Sequence, residues 1–203
     1  MAKILNGFTK DTAKNLQLDA GIIVIGLASP ENFAGELTGA TLLGATSGGG
    51  SFVVETEVRN LFEDLDGARG NYKEGNVIDS YNITLTTTVA EMTAKNIKLA
   101  LGAADTIAKQ GTGTDVDITK ARMTIKAEDY IDNVCWLGSL NGSDKPMIIE
   151  LKNVMNTNGL NFTFEDKGKG KIELELKAHF DLTKPEEVPF AIYTPSVKAN
   201  KVI

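Results

Sequence analysis

Leu42–Asn76 reads LLGATSGGGSFVVETEVRNLFEDLDGARGNYKEGN, and the rest of the chain is arranged around it. The triplet Gly48-Gly49-Gly50 lets the backbone take φ > 0 or pass close to another segment. From Phe52 the pattern turns strictly alternating. Phe52, Val54, Thr56 and Val58 fall on one face, and Val53, Glu55, Glu57 and Arg59 on the other, as in a half-buried strand. Glu63, Asp64 and Asp66 make an acidic run, followed by the turn signals Asp66-Gly67, Arg69-Gly70 and Glu74-Gly75-Asn76. Taken together, 42–76 is expected to be a long loop carrying one short strand, and loops of that length inside a domain are usually functional or disordered.

Downstream, Val77–Thr88 (VIDSYNITLTTT) is the clearest amphipathic strand. Val77, Tyr81, Ile83 and Leu85 face one way. Ser80, Asn82, Thr84, Thr86 and Thr88 face the other, with Asp79 an exception on the apolar side. Thr88 to Glu91 has capping-box spacing, Met92, Ile97, Ala100 and Leu101 recur at helical spacing, and Gly102 stands where a C′ glycine belongs, which predicts a helix over 89–102. Residues 105–115 are expected as a Gly/Thr-rich loop. Strands are expected over Ile118–Ala127, Asn133–Leu140, Met147–Met155, Leu160–Phe164 and Lys171–Phe180, with turns at Asn141-Gly142, Asn158-Gly159 and Asp166-Lys167-Gly168. Ala20–Ala28 is a buried apolar strand, preceded by an N-terminal arm (1–19). A C-terminal tail (190–203) contains Phe190–Tyr193, able to add one edge strand. The whole predicts one domain spanning 1–203, mainly β, a sandwich or partly closed barrel with one flanking α-helix.

Composition excludes several classes. The chain has 203 residues, 42% of them hydrophobic, yet no apolar run of membrane-spanning length, and its N-terminus lacks a signal-peptide pattern, so a soluble protein made in a cytoplasm is expected. A single cysteine, Cys135, forbids an internal disulfide; its apolar neighbours mark it as a buried small hydrophobe. One His and one Cys cannot make a zinc site. Gly44–Ser51 is glycine-rich but lacks the GK[ST] ending of a phosphate loop and is followed by a strand rather than a helix. His179 lies on the outward face of a strand, and no Ser/His/Asp set can be assembled around it. No catalytic, metal or cofactor residue is assigned, and no enzyme is expected. The net charge of −6 is the wrong sign for gripping phosphates.

The order LLGATSGGGSFVVETEVRNLFEDLDGARG, GNVIDSYNITLTTTVAEMTAKNIKLALG and IIELKNVMNTNGLNFTFEDKGKGKIELELKAHFD resembles the tail tube (major tail) proteins of tailed bacteriophages over most of the chain. The resemblance implies a structural virion protein assembled in the host cytoplasm. It implies rings of six subunits, each giving four strands to a continuous inner barrel, stacked into a tube that conducts DNA into the host. Its partners would be further copies of itself and other tail proteins (tape measure, terminator, baseplate or tip), with DNA passing without specific binding and no membrane contact. Tube proteins of phage-like particles and type VI-like secretion systems, which carry no DNA, share the fold and are the alternative. Twenty-four strands about 4.8 Å apart and tilted roughly 40° enclose a backbone diameter of roughly 48 Å. About 5 Å of side chain on each wall leaves a bore of roughly 38 Å, wider than a duplex.

Within this frame the bore-facing candidates are Glu55, Glu57, Ser80, Asn82, Thr84, Thr86 and Thr88. Glu173 and Glu175, interleaved with lysines, are the competing face. The inter-ring candidates are Gly48, Gly49, Gly50, Phe52, Leu61, Phe62 and Leu65, carried by the 42–76 stacking loop.

Overall fold

Eleven strands and one α-helix make up the described part of the chain, residues 7–37, 39–109 and 115–196 of the computed structural model. The strands are β1 (Ile22–Ile25), β2 (Thr41–Leu42), β3 (Thr46–Asn60), β4 (Asn76–Val89), β5 (Ala104–Lys109), β6 (Val116–Ala121), β7 (Ile131–Gly138), β8 (Met147–Asn156), β9 (Asn161–Thr163), β10 (Lys171–Lys177) and β11 (Phe190–Tyr193); the helix is α1 (Ala94–Leu101). Of the expected segments, 1–6 in the arm, 110–114 in the Gly/Thr-rich loop and 197–203 in the tail lie outside the described residues.

About half of the expected loop over 42–76 is strand. β3 and β4 form one long antiparallel hairpin, and only 61–75 remains as its tip. The glycine run lies inside β3 as a bulge: the pairing slips between Thr46↔Val89 and Gly50↔Thr87, and Gly48 and Gly49 take φ of +80° and +77°. At Gly50 a Cβ would sit 2.5 Å from the Thr86 carbonyl oxygen. Glycine here continues a strand through a bulge instead of ending it, a use that composition alone does not distinguish from a loop. A second slip, between Glu57↔Ser80 and Val58↔Ile78, leaves Asp79 with no residue opposite it. The break in the apolar pattern of β4 is this bulge, and Asp79 turns its carboxylate to the Arg59 guanidinium at 2.9 and 3.1 Å.

Nine strands form one antiparallel sheet in the order β2-β1-β7-β8-β10-β4-β3, with β11 beside β8 and β9 beside β10. β8 and β10 share only the pairs Leu176↔Asn156 and Lys177↔Met155, and across this narrow seam the sheet folds over on itself. Ile23, Val134, Ile149 and Leu151 from one half then meet Ile83, Leu85, Leu174 and Leu176 from the other in a single core. Phe52 and Phe190, one from each half, lie with ring centroids 5.8 Å apart. The alternation read in β4 and β10 is what makes this possible: every second residue of Ile172–Ala178 is buried. A smaller cluster of Val24, Leu27, Cys135, Leu137 and Ile148 lies on the reverse face of the first half, under Phe33 and Leu37. The mainly-β, sandwich-like expectation stands.

The helix is shorter than expected. Val89 ends β4, and the cap is Thr93, whose hydroxyl accepts from the Asn96 backbone N–H at 3.1 Å. Thr88 is a strand residue, and Glu91 reaches instead to the Ala45 N–H at 2.8 Å, tying the helix entry to β3. Strand pairing held 88–89 because Thr88 and Val89 complete the alternation of β4 and find partners in β10. Gly102 closes the helix with φ +71° as expected. Two further corrections concern 104–127. β5 and β6 pair as a separate two-stranded sheet, so 105–109 is strand, its turn signals notwithstanding. The strand expected over 118–127 stops at Ala121, where Arg122 leaves the ladder to bind Asp105 and the fully buried Asp129. Met123, inside the expected strand, is fully exposed.

Thr93→Ala is expected to lower stability by about 1 kcal/mol, the usual worth of an N-cap, and Thr88→Ala by no more than about 0.5 kcal/mol. Urea denaturation of the two variants checks the cap assignment.

Candidate functional site

Opposed residues of an antiparallel pair project to the same face. Across β3–β4 the pairs are Ser51↔Thr86, Val53↔Thr84, Glu55↔Asn82 and Glu57↔Ser80. Across β4–β10 they are Glu173↔Thr88, Glu175↔Thr86 and Lys177↔Thr84, and β9 adds Asn161↔Glu173. The two faces expected to compete are therefore one polar face, four strands wide, on the side of β9–β10–β4–β3 away from the core. Its side chains are knitted crosswise. Asn82 Nδ2 donates to Glu55 Oε2 and Ser80 Oγ to Glu57 Oε2, each at 2.9 Å, and the Ser51 and Thr86 hydroxyls lie 2.7 Å apart. Glu55, Glu57 and Ser80 are exposed, and Asn82, Thr84, Thr86 and Thr88 are half-buried. The face carries the carboxylates of Glu55, Glu57, Glu173 and Glu175 against the ammonium groups of Lys171 and Lys177 and the guanidinium of Arg59, which is paired with Asp79, so its balance is acidic.

Among the described residues β3 is also the edge of the sheet, bonded to β4 and to no other strand. Beyond Val54 it leaves the core, and Glu55 to Arg59 are all exposed. The inter-ring candidates separate onto the two ends of this strand. Leu61, Phe62 and Leu65 sit on the tip. Gly48, Gly49 and Gly50 sit in the bulge at the opposite end, and Phe52 packs on its own domain's core.

The tip is folded around Asn60, which the sequence reading passed over. Its amide nitrogen donates to Asn71, to the Tyr72 carbonyl at 3.0 Å and to Asn76 at 2.8 Å, while its carbonyl accepts from the Phe62 N–H at 2.8 Å. An Asn at the last paired position, ahead of turn residues, is the signal that could have marked it. Phe62 packs edge-on to Tyr72, leaving Leu61 and Leu65 more than half exposed.

At the bulge end, a cavity of about 340 Å³ opens between β3–β4 and β1–β7. Its apolar walls are Ile23, Phe52, Leu85, Trp136 and Ile149, and Gln17, Asp19 and Thr46 stand on its rim. The arm holds this rim: Asp19 accepts from the Ser139 and Gly21 N–H groups, and the bond from Ser139 draws its carboxyl below the usual carboxylate range. Trp136 Nε1 donates to the Ala20 carbonyl at 3.0 Å.

A second polar cluster lies on the reverse face. Buried Glu150 accepts from the Tyr193 hydroxyl at 2.9 Å and from Asn133 Nδ2 at 3.3 Å. Burial, then that hydrogen bond, pushes Tyr193 up to about 12. Burial, then the Glu150 charge, pushes the Cys135 thiol up to about 12 as well. This arrangement pins β11 onto β8 and leaves Cys135 a packed, protonated thiol. His179 is half-buried rather than outward in solvent, its Nδ1 3.0 Å from the Asn153 carbonyl and its ring edge-on to Tyr130. Among the described residues no three His, Cys, Asp or Glu side chains gather as metal ligands, and no helix is long and apolar enough to cross a membrane.

No family model matches the chain, and no curated protein matches it. Among solved structures, the SPP1 tail tube, determined by solid-state NMR and cryo-EM, is similar over 84% of this chain and 84% of its own, at 12% identity and a TM-score of 0.41. At that identity and score it transfers no function to this chain.

Two outcomes follow from the protonation states. Cys135 in the native protein is expected to react with a thiol reagent at pH 8 at least a hundredfold more slowly than in urea, because only the thiolate reacts. Asp19→Asn is expected to destabilise the protein at neutral pH. The native carboxyl titrates below its unfolded value of about 3.9, so its contribution is complete above that pH and lost as pH falls through the lower, folded value. Denaturation midpoints of the two proteins should therefore converge in strong acid.

Proposed function

We propose that this chain is a structural tube protein of a phage tail, polymerising as stacked rings of six whose bore conducts DNA. One observation carries the reading: a polar face four strands wide, continuous across β9–β10–β4–β3 and bounded on one side by a fifteen-residue edge strand. An edge of that length, with its backbone groups unsatisfied on one side, invites another strand. β3 has no proline to prevent the addition, and its outward lysines are absent. Pairing β3 of one subunit with the β9–β10 side of the next continues the polar face from copy to copy, and the twist of the sheet closes the series into a barrel.

Such a barrel presents Glu55, Glu57, Glu173 and Glu175 with the hydroxyls of Ser80, Thr84, Thr86 and Thr88 to its bore. DNA carries about one negative charge per 1.7 Å and is held by counterion release to cationic surfaces. An acidic, hydroxyl-rich wall offers no such contact and keeps the duplex centred. The other tail proteins would meet this chain at the two ends of the tube.

Electron microscopy of concentrated protein is expected to show tubes or rings with sixfold symmetry; a monomer under every condition would count against assembly. Glu55→Lys/Glu57→Lys tubes should form normally but retain DNA on sedimentation in low salt, releasing it as salt rises, where wild-type tubes retain none. Equal retention by both would take these residues out of the bore.

A further inference from the structure

We propose that Asn158-Gly159, between β8 and β9, is a site of covalent self-modification: the Asn158 amide is lost as ammonia through a succinimide, adding a new carboxylate to the polar face as the protein ages. The reaction needs no second copy of the chain and so does not depend on the tube reading.

Three Asn-Gly pairs occur in the chain: Asn6-Gly7, Asn141-Gly142 and Asn158-Gly159. Asn6 lies outside the described residues. The other two pairs both connect strands, and both asparagines are exposed, so neither sequence nor solvent access separates them. In each, the glycine has no Cβ to hinder its nitrogen from approaching the asparagine side chain. Hydrogen bonding is what separates them.

At Asn141 both reacting groups are tied to the arm. The Gly142 N–H donates to the Lys14 carbonyl at 2.8 Å, and Asn141 Nδ2 to the Ala13 carbonyl at 3.0 Å. The Asn141 N–H is held as well, by the Leu16 carbonyl at 3.1 Å. At Asn158 neither reacting group is held. Among the described residues the Asn158 side chain has no hydrogen-bond partner, and the Gly159 N–H donates to none. Gly159 takes φ +75° with nothing within 4 Å of the place a Cβ would occupy, so water and hydroxide can reach it.

The chemistry then needs only solvent. Hydroxide removes the Gly159 amide proton, the nitrogen attacks Asn158 Cγ, and Nδ2 leaves as ammonia with a proton from water. The cyclic imide takes up water at either carbonyl. Opening at the side-chain carbonyl gives aspartate; opening at the main-chain carbonyl gives isoaspartate, whose main chain runs through Cβ and Cγ. An amide and a water are consumed, a carboxylate and ammonia are formed, and nothing is oxidised or reduced.

The position of the site gives the reaction its consequence. Asn158 and Gly159 line a cavity of about 320 Å³ together with Asn161, Glu173 and Glu175. A carboxylate there joins two others and moves the face further towards negative charge. Isoaspartate also lengthens the turn whose Gly159 carbonyl the buried Asn156 holds at 3.0 Å.

The test incubates the folded full chain in mildly alkaline solution and follows both asparagines by peptide mapping. Lys152 lies between them, so trypsin places them in separate peptides. Asn158 is expected to convert about tenfold faster than Asn141 or more, the effect of the two hydrogen bonds that hold the reacting groups only at Asn141. Isoaspartate, read by enzymatic carboxyl methylation, is expected beside aspartate in the product. In urea, where the arm no longer holds Asn141, the two rates are expected to converge. Conversion of Asn158 no faster than that of Asn141 in the folded protein, a gap that persists unchanged in urea, or a product without isoaspartate would each overturn the proposal.

Discussion

Among the described residues the fifteen-residue strand β3 pairs on one side only, with β4, and much of the molecule follows from that unfinished ladder. A strand whose backbone is half satisfied is tolerable in water, where solvent takes the open side. It becomes costly only when something dry approaches it. The chain keeps this edge soluble by leaving the core after Val54 and placing exposed Glu55, Thr56, Glu57 and Arg59 along it. The same choice prevents the edge from being buried within its own domain. A hairpin that runs past its core, hydrated on both faces, contributes little to the fold of the monomer. Its length is understandable if its partners lie in another copy.

The core is arranged so that the hairpin can reach out. The seam between β8 and β10 has two residue pairs, and the sheet doubles over there instead of spreading flat. Doubling puts Leu174 and Leu176 opposite Ile149 and Leu151, dry on both sides. Asn156 at the seam is buried, and it donates to the Ala100 and Gly159 carbonyls while accepting from the Glu175 N–H. One side chain thus joins the helix end, the β8 turn and β10, replacing the ladder bonds that the fold-over breaks. The free face of β9–β10–β4–β3 is left with hydroxyls and carboxylates that bond crosswise to one another rather than to the core.

The sequence was legible where period two survives. In β4 the alternation named Ile83 and Leu85 as buried but not Thr87 or Val89, while in β10 every second residue is buried; β1, β7 and β8 were visible as apolar runs closed by turn residues. It was illegible where a residue type serves two geometries. Gly48–Gly50 looks the same in a loop and in a bulge, and only the Thr86 carbonyl across the ladder decides between them. Thr88 and Thr93 both begin plausible caps; β10 claims the first, so the second caps the helix. The union of the Glu55/Glu57 face with the Glu173/Glu175 face could not be read from either strand, because it depends on β10 crossing the chain to lie beside β4. Asn60 and Asn156 were missed for the same reason: their amides join segments that only the fold brings together.

Two bulges give β3–β4 its direction. A plain hairpin of this length would carry one continuous apolar stripe from end to end, and any other edge strand could pair with it in several registers. The slip at Asp79 breaks the regular pairing: β4 takes up one extra residue there, and Ile78 comes opposite Val58. The glycine bulge closes the other end, where φ above zero and the approach of Gly50 to Thr86 leave a stretch that an added strand cannot match. Between them lies one uninterrupted run, Gly50 to Glu57, with regular pairing. Bulges are the usual way an exposed edge is protected from indiscriminate pairing. Here they leave a window of eight regularly paired residues, and in the proposed assembly its acidic side chains are the ones that an added strand would carry forward on the same face.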